Sequence, residues 1–215
     1  MFKANVYYYS IINHFQTGDV MSEYKAEHVP KVIIIEGIDN CGKDTLINKL
    51  KNNFGKTKII HAGIPTSKNL FKFYYDGLIH DTLDGYYDES LDAVIHNRSI
   101  YGEYVYGPKY RNESRDDIIN LIHKLELGQL RTFIFSKDLY LILLTSSNSD
   151  LIANNDDGLS LSSKKKDIED EIKAFNEVFD LSAIENKKKV YVNDNCKFRD
   201  PDNIYMDVLN FINSK

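Results

Sequence analysis

A glycine-rich segment of the sequence has the composition of a phosphate-binding loop. It reads Gly37-Ile38-Asp39-Asn40-Cys41-Gly42-Lys43-Asp44-Thr45 and separates an apolar run from a helical pattern. Its two glycines permit a backbone whose successive N–H groups turn inward, and the following helix adds its positive end. Lys43, whose side chain we expect to face solvent, can then reach the β- and γ-phosphates of a nucleoside triphosphate. The segment therefore predicts a nucleotide-binding site lined by Gly37, Asp39, Asn40, Cys41, Gly42, Lys43, Asp44 and Thr45.

The residue after Lys43 departs from the usual loop pattern, in which a Ser or Thr hydroxyl ligates Mg²⁺. Asp44 occupies that position, and Thr45 follows one place later. A carboxylate is a good ligand for a hard cation, so Asp44 could hold the metal directly or through water. Alternatively, Asp44 is an acidic residue in a first helical turn, where the helix dipole favours it. The sequence leaves both interpretations open.

Alternating strands and helices must position these residues. Five runs rich in β-branched or aliphatic residues are Val32–Glu36, Lys58–His61, Ala93–His96, Leu139–Thr145 and Lys189–Val192. Such runs are typical of parallel strands that are buried on both faces. Apolar residues at helical spacing predict helices over Thr45–Asn53, Asp116–Leu127, Asp167–Phe179 and Asp202–Ile212. The pattern predicts an α/β fold of the P-loop NTPase type, a doubly wound five-stranded parallel sheet flanked by helices.

Length and charge narrow the class of protein. A chain of 215 residues that is 42% hydrophobic can bury one α/β domain, which we expect over residues 31–215 after an N-terminal extension, residues 1–30. For residues 1–20, a peripheral segment packed on the domain is the alternative. A net charge of −5 provides no positive field for nucleic acid or an anionic membrane. Two cysteines without zinc-site spacing fit a reducing compartment, so we expect a cytoplasmic protein.

A second polar segment follows the third apolar run. It begins His96-Asn97-Arg98-Ser99 and continues as Ile100-Tyr101-Gly102-Glu103-Tyr104-Val105-Tyr106-Gly107-Pro108-Lys109-Tyr110-Arg111. Together with the glycine-rich loop, it resembles the thymidylate kinase family, especially the phage-type deoxynucleoside monophosphate kinases. In that family the third strand ends in Asp-Arg, and phage-type members continue with Gly-Glu-x-Val-Tyr-Gly-Pro-x-Tyr-Arg. The resemblance covers the chain from Val32 to Phe211.

The resemblance implies that this segment binds the phosphate acceptor. Arg98 would clamp the acceptor phosphate, because a planar guanidinium can bind phosphate oxygens in two places, and Arg111 would be a second candidate. Glu103, Tyr106 and Tyr110 would lie near the sugar or base. Half-buried packing explains any one of these tyrosines, whereas their clustering beside Arg98 favours ligand binding.

Asn97 departs from the family pattern because the family usually has Asp at this position. Its amide can hydrogen-bond a metal-bound water but brings no negative charge. One hypothesis is that Asp44 and Asn97 share a Mg²⁺ site, with the carboxylate moved from the strand end to the loop and the total charge unchanged. The alternative is an impaired metal site in a relative that binds nucleotides without turnover.

Two further segments resemble nucleotide-binding parts of the same family. Residues 148–166 are polar and resemble a lid, which would supply a late-arriving cation and exclude water. The lid has no arginine, so Lys164, or its neighbours Lys165 and Lys166, would serve, although a solvated helix start explains these lysines equally well. After the last predicted strand, the resemblance places the donor adenine, on which Arg199 could stack.

As a whole, the resemblance implies transfer of the ATP γ-phosphoryl group to a (deoxy)nucleoside monophosphate, such as dTMP or another dNMP. ATP and Mg²⁺ would be the cofactors, and Lys43, Arg98 and Lys164 would be the catalytic residues. A deoxynucleoside kinase and a non-catalytic nucleotide-binding protein are the alternatives. Expected partners are small-molecule nucleotides and, because such kinases commonly dimerise, a second copy of the chain, with no nucleic acid or membrane. The resemblance also points to a bacteriophage source.

Overall fold

The computed structural model of the chain describes residues 28–65, 69–155, 162 and 164–215. Most of the predicted N-terminal extension and part of the predicted lid, residues 156–161 and 163, lie outside the described residues. Five strands form one all-parallel sheet: β1 (Lys31–Gly37), β2 (Thr57–His61), β3 (Ala93–Asn97), β4 (Leu139–Thr145) and β5 (Asn186–Tyr191). The strand order is β2-β3-β1-β4-β5. This architecture confirms the predicted P-loop NTPase type of fold.

Helices follow the strands. Those before β4 are α1 (Lys43–Phe54), α2 (Leu70–Tyr74), α3 (His80–Tyr86), α4 (Tyr101–Tyr110), α5 (Arg115–Leu125) and the short α6 (Arg131–Phe133). Those after β4 are α7 (Ser149–Ala153), α8 (Lys165–Leu181) and α9 (Pro201–Asn213). A π-helical turn joins α2 to α3, and another joins α5 to α6. A two-stranded ribbon, β6 (Asn193–Asp194) and β7 (Lys197–Phe198), precedes α9.

The central strand β1 places the glycine-rich loop in the middle of the sheet. β1 pairs with β3 on one side and with β4 on the other, and its apolar residues are buried on both faces. The register aligns Ile35 of β1 with Asn97 of β3, so the residues after both strands meet at one edge. In open α/β sheets, ligands bind at the carboxyl ends of the strands. The fold therefore brings the loop at Gly37 next to Asn97 and Arg98.

Most predicted elements differ from the structure by one to three residues at an end, and several helical segments were not predicted. The last strand begins at Asn186 rather than Lys189, and α1 begins at Lys43 rather than Thr45. The region from α2 to α3 and the helix α4 are helical. None of the helices in the described part of the chain has the length and hydropathy of a membrane span.

Candidate functional site

The loop between β1 and α1 has the backbone geometry of an anion-binding nest. Gly37 has a φ of 146°, Asn40 a φ of 59° and Gly42 a φ of 84°. A side chain at Gly37 would overlap the Leu144 carbonyl oxygen and lie 2.9 Å from the Cys41 sulfur, so this position requires glycine. Gly42 lies directly before the first helical residue, and the free N–H groups of α1 therefore face the loop. The predicted order of strand, loop, Gly-Lys and helix is confirmed.

Lys43 lies folded back beneath the loop. Its amine donates hydrogen bonds to the carbonyl oxygens of Gly37 at 3.0 Å and Ile38 at 2.6 Å. The residue is only 7% exposed, and burial lowers the pKa of its amine. The expectation that this side chain faces solvent is therefore wrong, because its amine folds back onto the loop carbonyls.

Arg98 lies at a sharp corner between β3 and α4. Its φ of 69° is in the left-handed region, which non-glycine residues adopt only when neighbouring contacts hold them there. Its backbone N–H donates to the Ile35 carbonyl oxygen at 3.0 Å. The guanidinium forms an ion pair with Asp39 of the loop and lies 5.9 Å from the centre of the Tyr106 ring. The corner thus directs the guanidinium of Arg98, the residue predicted to bind the acceptor phosphate, at the loop.

Glu36, the second-last residue of β1, is buried beside these two cations. One of its oxygens, Oε1, accepts a hydrogen bond from the Ser99 N–H at 2.6 Å. Burial raises the pKa of its carboxyl to about 7, although Arg98 and Lys43 act in the opposite direction. The charge of Glu36 also contributes to the raised pKa values of the Tyr74 and Tyr101 hydroxyls, which burial raises most. The sequence prediction missed Glu36, which has the appearance of a routine strand residue next to a glycine.

Burial of Glu36 predicts a pH-dependent cost in stability. Because its pKa is raised on folding, the unfolded chain loses this proton first as the pH rises, so stability falls between about pH 4.5 and pH 7. Because glutamine cannot ionise, the difference in the free energy of unfolding between Glu36→Gln and the wild type should change with pH. Above pH 7, this difference should favour the variant by up to about 3 kcal/mol more than it does at pH 4. Urea unfolding at both pH values measures this, with the exposed Glu89→Gln as a control. A difference that does not change with pH would contradict the assignment.

Asp44 and Asn97 meet across the site. The Asn97 side-chain amide lies 2.6 Å from Oδ1 of Asp44, so the predicted link between these two positions is a direct contact. No group of three or more His, Cys, Asp or Glu side chains with metal-site geometry occurs in the described part of the chain. Mg²⁺, however, needs only one or two protein oxygens when phosphates and waters complete its shell. These two side chains therefore fit Mg²⁺, because Asp44 can supply a carboxylate oxygen and the Asn97 amide can hydrogen-bond a metal-bound water.

Glu103 and Arg111, predicted for the acceptor site, bind each other. Both oxygens of the buried Glu103 are occupied, one by the Arg111 guanidinium and the other by the Tyr74 hydroxyl at 2.7 Å. Tyr106 and Tyr110 stack with ring centres 6.3 Å apart. Tyr106, on α4, is the tyrosine of this pair that lies against Arg98. Arg98 rather than Arg111 is therefore directed at the loop.

Ser162 connects the lid region to the helices beneath it. Its hydroxyl receives a hydrogen bond from the Lys109 amine at 2.8 Å, donates one to Glu171 and lies 3.2 Å from the Tyr110 hydroxyl. Ser162 and Glu171 line a small cleft together with Asp39 and Asn40 of the loop. Lys164 is exposed at the start of α8, and its neighbour Lys165 pairs with Asp150 at 2.7 Å. The sequence analysis did not find Ser162 or Glu171.

A second cavity of about 150 Å³ opens on the other side of the loop. Cys41, Gly42 and Thr45 form one wall, and Phe198 and Arg199 of the ribbon region form another. The Arg199 guanidinium is held by the Tyr191 carbonyl oxygen at 2.9 Å and by Asp207 at 2.7 Å. An immobilised guanidinium and a half-exposed phenyl ring are suited to stacking on a planar base. Phe198 was not predicted.

Comparisons with known proteins find similarity in fold. No protein family and no curated protein matches the sequence. The YorR protein from Bacillus subtilis, solved in complex with phosphorylated GDP, is 18% identical, with a TM-score of 0.59 over 85% of this chain and 95% of its own. Thymidylate kinase from Candida albicans is 14% identical, with a TM-score of 0.55 over 86% and 92%. Deoxyadenosine kinase from M. mycoides, with bound dCMP and dCDP, is 16% identical, with a TM-score of 0.50 over 86% and 100%.

Proposed function

We propose that the protein transfers the γ-phosphoryl group of ATP to a (deoxy)nucleoside monophosphate, such as dTMP or another dNMP, and releases the diphosphate. The observation that carries this proposal is the position of two cationic side chains on either side of one loop. Lys43 lies beneath the loop, and Arg98 is held against it by Asp39. One cation can therefore serve donor phosphates and the other a phosphate on the acceptor.

Phosphoryl transfer requires mainly positioning and stabilisation of charge. In the proposed mechanism, Lys43 exchanges the Gly37 and Ile38 carbonyl oxygens for phosphate oxygens, and Arg98 orients the acceptor phosphate. Asp44 and Asn97 would hold Mg²⁺, which supplies neutralising charge to the β- and γ-phosphates. Lys164 would approach from the lid as a further cation. The cavity beside Arg199 would take the donor base.

Relatives in fold support the choice of a nucleotide acceptor. The proteins named above include a thymidylate kinase and a structure with a phosphorylated nucleoside diphosphate. The segment from Gly102 to Arg111 supports the narrower proposal of a phage-type enzyme. A cytoplasmic location and a homodimer remain predictions of the sequence.

A deoxynucleoside kinase is the second candidate, and one observation favours it. Arg111, the second predicted phosphate ligand, is already neutralised by Glu103. An acceptor without a phosphate would need only the remaining groups. A deoxyadenosine kinase is also among the similar folds.

Arg98→Ala distinguishes the two candidates. Loss of a charge-assisted hydrogen bond to phosphate costs about 1.5–3 kcal/mol, so we expect KM for a monophosphate acceptor to rise roughly 10- to 100-fold. A nucleoside acceptor should be affected far less. ADP release measured with each natural nucleoside and monophosphate provides the test, with Arg131→Ala, which removes the exposed Arg131–Glu185 pair, as the control. Equal losses with both kinds of acceptor would favour the nucleoside kinase.

A further inference from the structure

The corner between β3 and α4 determines where the Arg98 guanidinium points. Arg98 is one of four non-glycine residues with positive φ in the described part of the chain, and α4 begins three residues later, at Tyr101. An L-residue does not hold this conformation by its own preference. Contacts from outside the corner must therefore hold it.

Those contacts come from the central strand β1. The Ile35 carbonyl oxygen accepts from the Arg98 N–H at 3.0 Å, and Oε1 of Glu36 accepts from the Ser99 N–H at 2.6 Å. The residue at the N-cap position of α4 is Ile100, whose side chain cannot accept a hydrogen bond. Glu36 instead binds the residue immediately after Arg98, one position before the N-cap, and so holds the corner from a neighbouring strand.

Burial of the Glu36 carboxyl group at this position costs stability. Glu36 is 2% exposed, and its second oxygen, Oε2, has no hydrogen-bond partner among the described residues. A buried acid with an unsatisfied oxygen costs stability, and proteins tend to keep such groups at functional sites. Its charged neighbours are Arg98 at the corner and Lys43 on α1, the two cations of the candidate site.

We propose that Glu36 is a positioning residue for acceptor binding: its hydrogen bond to the Ser99 N–H holds the β3–α4 corner so that Arg98 points at the phosphate-binding loop. The inference rests on the proposed function, because it assigns to Glu36 an effect on the acceptor that Arg98 binds. Glu36 itself contacts no reacting group.

A double-mutant cycle tests whether Glu36 acts through Arg98. Glu36→Ala should raise KM for the monophosphate about tenfold and change KM for ATP less than about twofold. In the Arg98→Ala background, the same change should add less than about twofold, because residues that act through one another are not additive. Glu36→Gln should stay within about threefold of the wild type, since its amide oxygen can still accept from Ser99. Additive losses, or a glutamine variant as impaired as the alanine variant, would overturn the inference.

Glu126 provides a matched control for the loss of a buried carboxylate. It is 1% exposed and accepts from the Tyr101 hydroxyl at 2.5 Å and from the Ala183 N–H at 2.8 Å, and neither partner belongs to the loop or is Arg98 or Ser99 of the corner. Glu126→Ala should lower stability and leave both KM values unchanged. If it raised the acceptor KM as Glu36→Ala does, general destabilisation would explain the effect and the inference would be wrong.

Hydrogen exchange at the Ser99 amide tests the corner without any substrate. Exchange should be faster in Glu36→Ala and unchanged in Glu36→Gln, and unchanged exchange in the alanine variant would overturn the inference. Glu36→Asp, whose carboxylate is one methylene too short to reach, gives the same test if the alanine variant does not fold. A normal monophosphate KM in Arg98→Ala would instead reject the proposed function, and the exchange result would stand independently.

Discussion

Replacement of Lys43 by methionine is expected to lower phosphoryl transfer by about 10²- to 10³-fold, the usual loss when one preorganised charge-stabilising group is removed. The Lys43 amine lies beneath the loop, and among the described residues its hydrogen-bond partners are groups that phosphates can replace, the Gly37 and Ile38 carbonyl oxygens and the Cys41 sulfur. Methionine fills nearly the same volume, so the buried position does not become a cavity. Alanine would remove both charge and volume and would confuse the two effects.

The matched control is Lys51→Met, which changes an exposed lysine on the same helix. Steady-state ADP release measures activity, and thermal unfolding measures the folded fraction. Both methionine variants should unfold within a few degrees of the wild type, and only Lys43→Met should lose activity. Unchanged turnover in Lys43→Met would reject the assignment of this loop as the donor phosphate site.

The centre of the sheet could be predicted from the sequence because β1, β3 and β4 are buried on both faces. Such strands lack polar interruptions, and β1 and β4 were found nearly to the residue. The edge strand β5 was misplaced because Lys187, Lys188 and Lys189 conceal it. The amines of these lysines lie over the rings of Phe179 and Phe211, with their aliphatic stems alongside. Charged residues therefore cover apolar surface here, as apolar side chains would in a central strand.

The helices that were missed lack the one-sided apolar pattern on which prediction depends. In α4, every residue from Tyr101 to Gly107 is buried, so there is no polar face to reveal a period. The region of α2 and α3 contains a π-helical turn, which shifts the phase of the pattern. Gly85 also disfavours a helix, yet its missing side chain allows α3 to approach β3, since a Cβ there would lie 2.7 Å from Val94.

For the candidate site, the sequence identified residues that chemistry requires but not their partners. The loop glycines and Arg98 are recognisable from type and spacing. The pairing of Glu103 with Arg111, and of Ser162 with Lys109, depends on how helices pack and has no local signal. Glu36 was missed for a related reason: its role depends on the Ser99 N–H of another strand's corner, 63 residues away.

Asp44 and Asn97 provide the sharpest test of the metal site, because the pattern that the chain resembles has Ser or Thr at the first position and Asp at the second. The two side chains already touch, with the Asn97 amide 2.6 Å from the Asp44 carboxylate. If Asp44 supplies the charge that Asn97 lacks, Asp44→Ser should leave the site one charge short and raise the Mg²⁺ requirement. Since a bound divalent ion supplies several kcal/mol of charge stabilisation, we expect a loss of turnover of about 100-fold.

Asn97→Asp alone should also lose activity, for the opposite reason. It places two carboxylates at hydrogen-bond distance, where like charges repel each other and the incoming phosphates. The double variant Asp44→Ser/Asn97→Asp has a hydroxyl at position 44 and a carboxylate at position 97, which is the arrangement of the pattern that the chain resembles. It should recover most of the activity. The coupling between the two changes should therefore be favourable by about 3 kcal/mol, because it must offset the 100-fold loss of Asp44→Ser alone, and a coupling of this size is found only for residues that interact.

Turnover measured against Mg²⁺ concentration for the wild type, both single variants and the double variant yields this coupling directly. Asp180→Ser, which removes an exposed carboxylate that pairs with Lys189 at 2.8 Å outside the site, controls for the loss of one negative charge. Additive losses in the double variant would show that the contact between positions 44 and 97 carries no metal chemistry. Asp44 would then act through the helix dipole, as an acidic residue in the first turn of α1.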